Sequence, residues 1–173
     1  CESLSTVIFD ENSELQLIDV SAFSNTSIQS ISIPNHVYQI HENSFAYCKQ
    51  LKDMTFSKDS ELKILSDNSF YQSSIEKLII PSSFGRFGKL FNGSNNLKLI
   101  QVIENKDKNI INYDNKLIIG KLNSQSDLFD VILYANRMIT EVFIPPFIKH
   151  ISFGAFTGCD YLKKITFSED SQL

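Results

Sequence analysis

A single solenoid of stacked short repeats, mainly β, is the fold class this sequence predicts. It carries a parallel sheet on one face, turns or 3₁₀ segments on the other, and one β-hairpin insertion. Three observations predict it. First, an apolar strand pattern recurs from Leu4, Ile28, Leu51, Ile75, Leu97, Ile139 and Leu162, in steps of 24, 23, 24, 22, 42 and 23 residues. Second, the pairs Leu15/Ile18, Val37/Ile40, Leu62/Leu65 and Ile148/Ile151 recur behind it, each followed five residues later by Phe23, Phe45, Phe70 or Phe156. Third, a unit of this length buries no core alone, so its copies must stack and share one.

In chain order, each copy opens on a short strand. Val7 and Phe9 point inward and Ile8 outward by the two-residue alternation, and the later copies follow suit with Ile31/Ile33, Met54/Phe56, Leu78/Ile80, Ile100/Val102, Val142/Ile144 and Ile165/Phe167. Pro34, Pro81 and Pro145 end this strand at one place, where a ladder N–H can be spared. The second apolar pair and its phenylalanine return along the opposite face. With 6 glycines and 4 prolines in 173 residues, the turns fall to Asn, Asp and Ser. The fourth copy departs: Phe84/Phe87 are followed by Phe91 one residue early, with Gly85 and Gly88 close by, which accounts for the step of 22.

The step of 42 is one repeat plus an insertion, placed at residues 104–136. It opens polar, Glu104-Asn-Lys-Asp-Lys-Asn, and then carries Leu117-Ile-Ile119 and Val131-Ile-Leu-Tyr134, joined by the polar link Lys121 to Asp130. That reads as a β-hairpin with a long loop, expected to project from one edge of the solenoid and cover part of it.

The stretch Ile139-Thr-Glu-Val-Phe-Ile-Pro through Ile148/Ile151 to Ala155-Phe-Thr-Gly-Cys159 is the most regular copy, and Ile28 to Cys48 follows it well. These residues resemble the BspA-like type of leucine-rich repeat, and Asn112-Tyr-Asp-Asn-Lys-Leu117 resembles an extended repeat variant of that family. The chain departs from the family pattern in lacking the proline after Phe9, Phe56, Val102 and Phe167. The resemblance implies an α/β-class leucine-rich repeat solenoid and a non-enzymatic role, that of microbial or protist surface proteins that bind host proteins or other cells. Residues 1–173 are expected to form one solenoid of about seven repeats. Cys1-Glu-Ser-Leu4 aligns with Cys48-Lys-Gln-Leu51, and Ser168 to Leu173 aligns with Ser57 to Leu62, so both ends fall mid-repeat and a longer array is expected.

Composition narrows the function classes. The net charge is -4 with no lysine or arginine block, which argues against nucleic acid as a partner. No apolar run approaches the roughly 18 residues of a membrane span, so this segment is not expected to insert. Cys1, Cys48 and Cys159 share one repeat position. Copies stack about 4.8 Å apart, so two copies span roughly 10 Å, beyond the ~7 Å reach of a disulfide. They read as small buried hydrophobes at a tight inner corner. No histidine joins them there to activate a nucleophile. His36, His41 and His150 show no metal spacing and read as solvent-facing. The acidic turns Asp10-Glu11, Lys58-Asp59 and Glu169-Asp170 lack the alternating ligands and glycine of a calcium loop and read as solvated edges. Asn25-Thr-Ser27 and Asn92-Gly-Ser94 are glycosylation sequons, at an asparagine content where chance matches are expected. No catalytic, cofactor-binding or metal-ligating set emerges.

What remains is the outward row of the first strands: Ile8, Ser32, Thr55, Ile79, Gln101, Phe143 and Thr166. It is flanked on the same face by Ser30, Asp53, Lys77, Leu99, Glu141 and Lys164. Ile79 and Phe143 are expected to be separated by only one other strand row. Large apolar groups outward on a parallel sheet mean that something covers them, either a protein partner or the insertion itself. The expected function is a protein-binding module of a cell-surface adhesin or antigen; the alternative is a cytoplasmic scaffold repeat within a larger assembly, favoured by three unpaired thiols.

Overall fold

The computed structural model describes residues 1–87, 96–123 and 125–173, with Arg86 and Phe87 described by their main chain. Phe91, Gly88 and the sequon at Asn92 lie outside the described residues. Copy 1 contributes β1 (Leu17–Ile18), copy 2 β2 (Ser30–Ile33) and β3 (Gln39–Ile40), and copy 3 β4 (Asp53–Phe56) and β5 (Ile64–Leu65). Copy 4 gives β6 (Lys77–Pro81) and β7 (Arg86–Phe87), and copy 5 gives β8 (Leu99–Ile103). The insertion holds β9 (Ile110–Tyr113), β10 (Leu117–Gly120) and β11 (Val131–Ala135). Copies 6 and 7 supply β12 (Glu141–Ile144), β13 (His150–Ile151) and β14 (Lys164–Phe167).

The first strands form the parallel sheet β2-β4-β6-β8 and, beyond the insertion, the pair β12-β14. Their registers match the repeat alignment: Ser32 pairs with Thr55, Ile79 with Gln101, and Phe143 with Thr166. The alternation holds as expected from β2 to β12, with Ile31, Ile33, Met54, Leu78, Ile80, Ile100, Val142 and Ile144 buried. Two strand expectations need correction. Leu4 to Phe9 runs beside β2 without forming a strand, although Val7 and Phe9 pack on the core. In β14, Ile165 and Phe167 are 39% and 48% exposed rather than inward, whereas Pro81 ends its strand as expected, opposite Ile103.

The opposite face is more regular than turns alone. Its two-residue strands form the parallel sheet β1-β3-β5-β7, with Ile18, Ile40 and Leu65 in line. No 3₁₀ segment occurs among the described residues. Phe23, Phe45 and Phe70 stack behind it at 5.3 and 6.0 Å between ring centroids. Each phenylalanine is bracketed by left-handed residues two before and two after. Those before are Ser21, Asn43, Asn68 and Gly154; those after are Asn25, Tyr47, Gln72 and Gly158. Asparagine and glycine tolerate that backbone best, which explains how so few glycines suffice. Buried Ser44 and Ser69 donate to the carbonyls of His41 (2.6 Å) and Ser66 (2.5 Å), tying each turn down.

The insertion does not project. It forms a three-stranded antiparallel sheet, β9-β10-β11, and β11 pairs in parallel with β13, so it lies within the stack. Strand β9 is additional to the expected hairpin. It joins β10 through Asp114 and Asn115, both left-handed (φ 52 and 53), the signature of a tight type I′ turn. All four residues of β10 are buried, and they serve two cores. Ile118 packs with Ile110 and Tyr134 in the core of copies 1–5, whereas Leu117 and Ile119 pack with Ile132, Val142, Ile144 and Ile148 in the core of copies 6–7. Gly120 leaves room for Leu133: a Cβ there would stand 2.5 Å from Leu133 Cδ1, so the leucine side chain would have to shift. The insertion is therefore a wall between two stacks. A sheet apolar on both faces cannot be a surface flap, which is why projection fails as a reading.

Candidate protein-binding face

The wall breaks the outward row in two. β8 and β12 belong to separate sheets, so Ile79 and Phe143 are separated by more than the one strand row of β8. The seam is clamped by Asn136, which is buried. Its Oδ1 accepts from the Ile100 N–H (3.1 Å), its Nδ2 donates to Asn115 O (2.7 Å), and its own N–H donates to Lys116 O (2.8 Å). The Arg137 N–H then donates to Lys98 O at 3.1 Å, taking the ladder position that Thr140 would hold in an unbroken array. Sequence reading passed over Asn136; its signal was an asparagine at the exit of an apolar strand, where a side-chain amide can replace missing ladder partners.

On the first part of the row, Ser32 and Thr55 are exposed, while Ile79 and Gln101 are only half-buried, so Ile79 is less open than its alternation implies. Ile8 is 88% exposed but stands outside any strand. On the second part, Phe143 is 50% exposed and Thr166 is exposed. The insertion therefore leaves Phe143 uncovered. Nearby Phe147 instead rests edge-on against Tyr113 of β9, 6.0 Å between centroids. The long loop 121–130 places two further apolar groups outward, Leu122 at 62% and Leu128 at 60% exposure. Buried Asp130 holds its base, accepting from the Leu122 N–H at 2.8 Å through Oδ1 and from the Lys149 N–H at 2.8 Å through its carbonyl.

Charges line the strand entries. Asp53 pairs across strands with Lys77, and Glu141 with Lys164. One residue before β6, Glu76 binds Lys52 Nζ at 2.5 Å and stands 3.8 Å from Lys98 Nζ, linking three successive copies. The hydrogen bond from Lys52, then the charges of Lys52 and Lys98, hold its carboxyl below the usual value of 4.5.

The remaining candidates fall into place individually. Cys48 is buried and its thiol donates to Phe23 O at 3.0 Å, the inner-corner role expected of all three. Cys1, however, is exposed and Cys159 half-buried; burial pushes the Cys159 thiol up, away from the reactive thiolate. His36 and His150 are exposed, but His41 is half-buried and not solvent-facing. His36 Nδ1 lies 3.3 Å from Glu61. The acidic turns are exposed. Asn25 is exposed and donates to Glu2 Oε1 at 2.8 Å. Among the described residues, no three His, Cys, Asp or Glu side chains are grouped to hold a metal ion, and no helix is long and apolar enough to cross a membrane.

The pattern described as a BspA type leucine rich repeat region matches in six copies over residues 1–114 and 122–172. Among solved structures, the chain is similar to the pneumococcal vaccine antigen PcpA, with a TM-score of 0.81 and 26% identity, covering 98% of this chain and 41% of that one. It is similar in fold to a leucine rich cell surface protein from Faecalibacterium prausnitzii, with a TM-score of 0.62 and 17% identity, covering 89% and 52%. A leucine-rich repeat protein from Eubacterium ventriosum gives a TM-score of 0.63 at 21% identity, covering 92% and 47%. The chain thus spans 41%, 52% and 47% of these proteins' lengths. No curated protein matches the sequence.

Proposed function

Because the chain belongs to the BspA-type leucine-rich repeat family, we propose that it is a non-enzymatic protein-binding module of a cell-surface adhesin or antigen. Its contact surface is the outward row Ser32, Thr55, Ile79, Gln101, Phe143 and Thr166, with Ile8 at one end. The observation that carries this is Phe143, an aromatic half exposed on a strand whose other outward residue, Glu141, is charged. An aromatic held rigid on a sheet and ringed by polar groups is the usual anchor of a protein interface. The likeness to a pneumococcal vaccine antigen supports a place on the cell surface. Leu122 and Leu128 on the insertion loop extend the contact.

The test is retention of the labelled chain on an array of immobilised extracellular proteins. Phe143→Asp with Ile79→Ser should cut binding to any retained protein by at least about tenfold, the scale of one interface anchor. Thr55→Arg with Thr166→Arg alters exposed positions only and should do the same without disturbing the core. If both variants bind like the parent, the face is misassigned. Three unpaired thiols favour the second reading, an intracellular scaffold; protease treatment of intact cells that spares the protein would support it.

A further inference from the structure

Copies 1 and 2 part company on the strand face. The Ser27 N–H donates to Leu4 O at 2.9 Å, and the next main-chain bond between these copies is Tyr38 N–H to Gln16 O, also 2.9 Å. Between the two bonds, residues 5–9 make no ladder with β2, which is the outermost strand of its sheet. In the next copy the same interval is closed by the full register Ser30–Asp53 to Ile33–Phe56. The splayed segment leaves a cleft of about 450 Å³, with Val7, Phe9, Asp10 and Glu11 on one side and Ile33 and Asn35 on the other. Two features define what fits. An unpaired strand edge accepts another extended chain through main-chain hydrogen bonds. Asp10 and Glu11 are exposed and, among the described residues, neither has a cationic partner within 4.0 Å.

We infer that this cleft captures an extended segment of a partner protein, which adds to the free edge of β2 and sets a lysine or arginine against Asp10 and Glu11. Aliphatic side chains of the segment meet the partly exposed Val7 and Phe9, while the alternate, basic ones reach the carboxylates. The inference deepens the protein-binding reading by naming the partner's form at the Ile8–Ser32 end of the row.

The probe is a fluorescein-labelled peptide of roughly eight residues alternating valine and lysine, a usual strand length, titrated against the 173-residue chain by anisotropy. The same peptide with glutamate for lysine, and one with N-methylated alternate amides, serve as controls. The valine–lysine peptide should bind and should slow amide exchange at Ile31 to Ile33. Asp10→Asn with Glu11→Gln should weaken it at least about tenfold, the scale of losing two charge-assisted contacts. The substituted asparagine amide oxygen can still accept the Asn12 N–H bond that Asp10 Oδ1 accepts at 2.8 Å, so the turn is retained. Equal binding of the glutamate or N-methylated peptide, absence of binding, or unchanged exchange in β2 overturns the inference. So does a dimer of the chain that dissociates when the peptide is added, which assigns the edge to a second copy. Because these variants leave Ile79 and Phe143 untouched, the wider face can stand while the cleft falls, or the reverse.

Discussion

Single residues carry the cost of each turn. Gln72 holds φ 52 without the side-chain chemistry that favours it, whereas the equivalent positions are Asn25 and Gly158, with Tyr47 as the other costly residue. A left-handed residue with a Cβ costs roughly 1–2 kcal/mol. Gln72→Gly should therefore raise the thermal midpoint, offset in part by the greater freedom glycine gives the unfolded chain and by loss of the Gln72 side-chain contact with Lys49 (3.4 Å). A scanning calorimetry trace with a lower midpoint would contradict it. At this scale the sequence was half legible. The asparagines announced turns, but nothing in a tyrosine or glutamine announces φ > 0, because the ladder bond Tyr47 N–H to Tyr71 O imposes it from the neighbouring copy.

Elements are held by what recurs at one position in successive copies. Glu76 is an instance, clasped by Lys52 and Lys98 from the copies on either side. Its folded carboxyl titrates below the value of 4.5 expected of an unfolded glutamate. The clasp therefore contributes fully above that value and is lost as pH falls through the depressed folded one. Glu76→Gln should flatten the stability curve below about pH 4.5 and leave the neutral-pH salt dependence weaker, since exposed pairs are screened. An unaltered acid limb in urea titrations at successive pH values would contradict this. The first strands of copies 2 to 6, their register and most of their inward residues are readable, because a period of two and a period near 23 both survive drift; the absent strand at Leu4–Phe9 and the exposed Ile165 and Phe167 are not. The two-residue strands of the second face were not, since a pair three residues apart fits a turn equally well. Nor was β9: Ile110-Ile111 followed by Asn112 is too short a run to separate from a loop until its partner β10 is known.

Across the whole molecule, the array is two stacks with a shared wall. Ile118 and Ile119 are adjacent in sequence and wholly buried, yet they belong to different cores. Truncation of either to alanine should cost about 2–5 kcal/mol. Hydrogen exchange should separate them: Ile118→Ala releases amides of β4, β6 and β8 first, and Ile119→Ala those of β12 and β14. Identical exchange patterns for the two variants would mean that the wall does not partition the core. The sequence of the insertion implies a projecting hairpin where the structure holds a wall, for a physical reason. Two apolar runs and a polar link specify a hairpin, but burial of both its faces is a property of what stacks against it, which no local pattern encodes.

The wall also bears on how such an array can change over generations. In an uninterrupted solenoid, an extra unit alters the spacing of everything beyond it along one continuous ladder. Here the two ladders of first strands end on either side of an inserted sheet that seals each core separately. A duplication or loss of a unit among copies 1–4 would lengthen or shorten one ladder and leave the facing of β12, Phe143 and the 121–130 loop as they are. The two parts of the outward row are thus separate units of inheritance, each free to gain or lose copies without re-aiming the other.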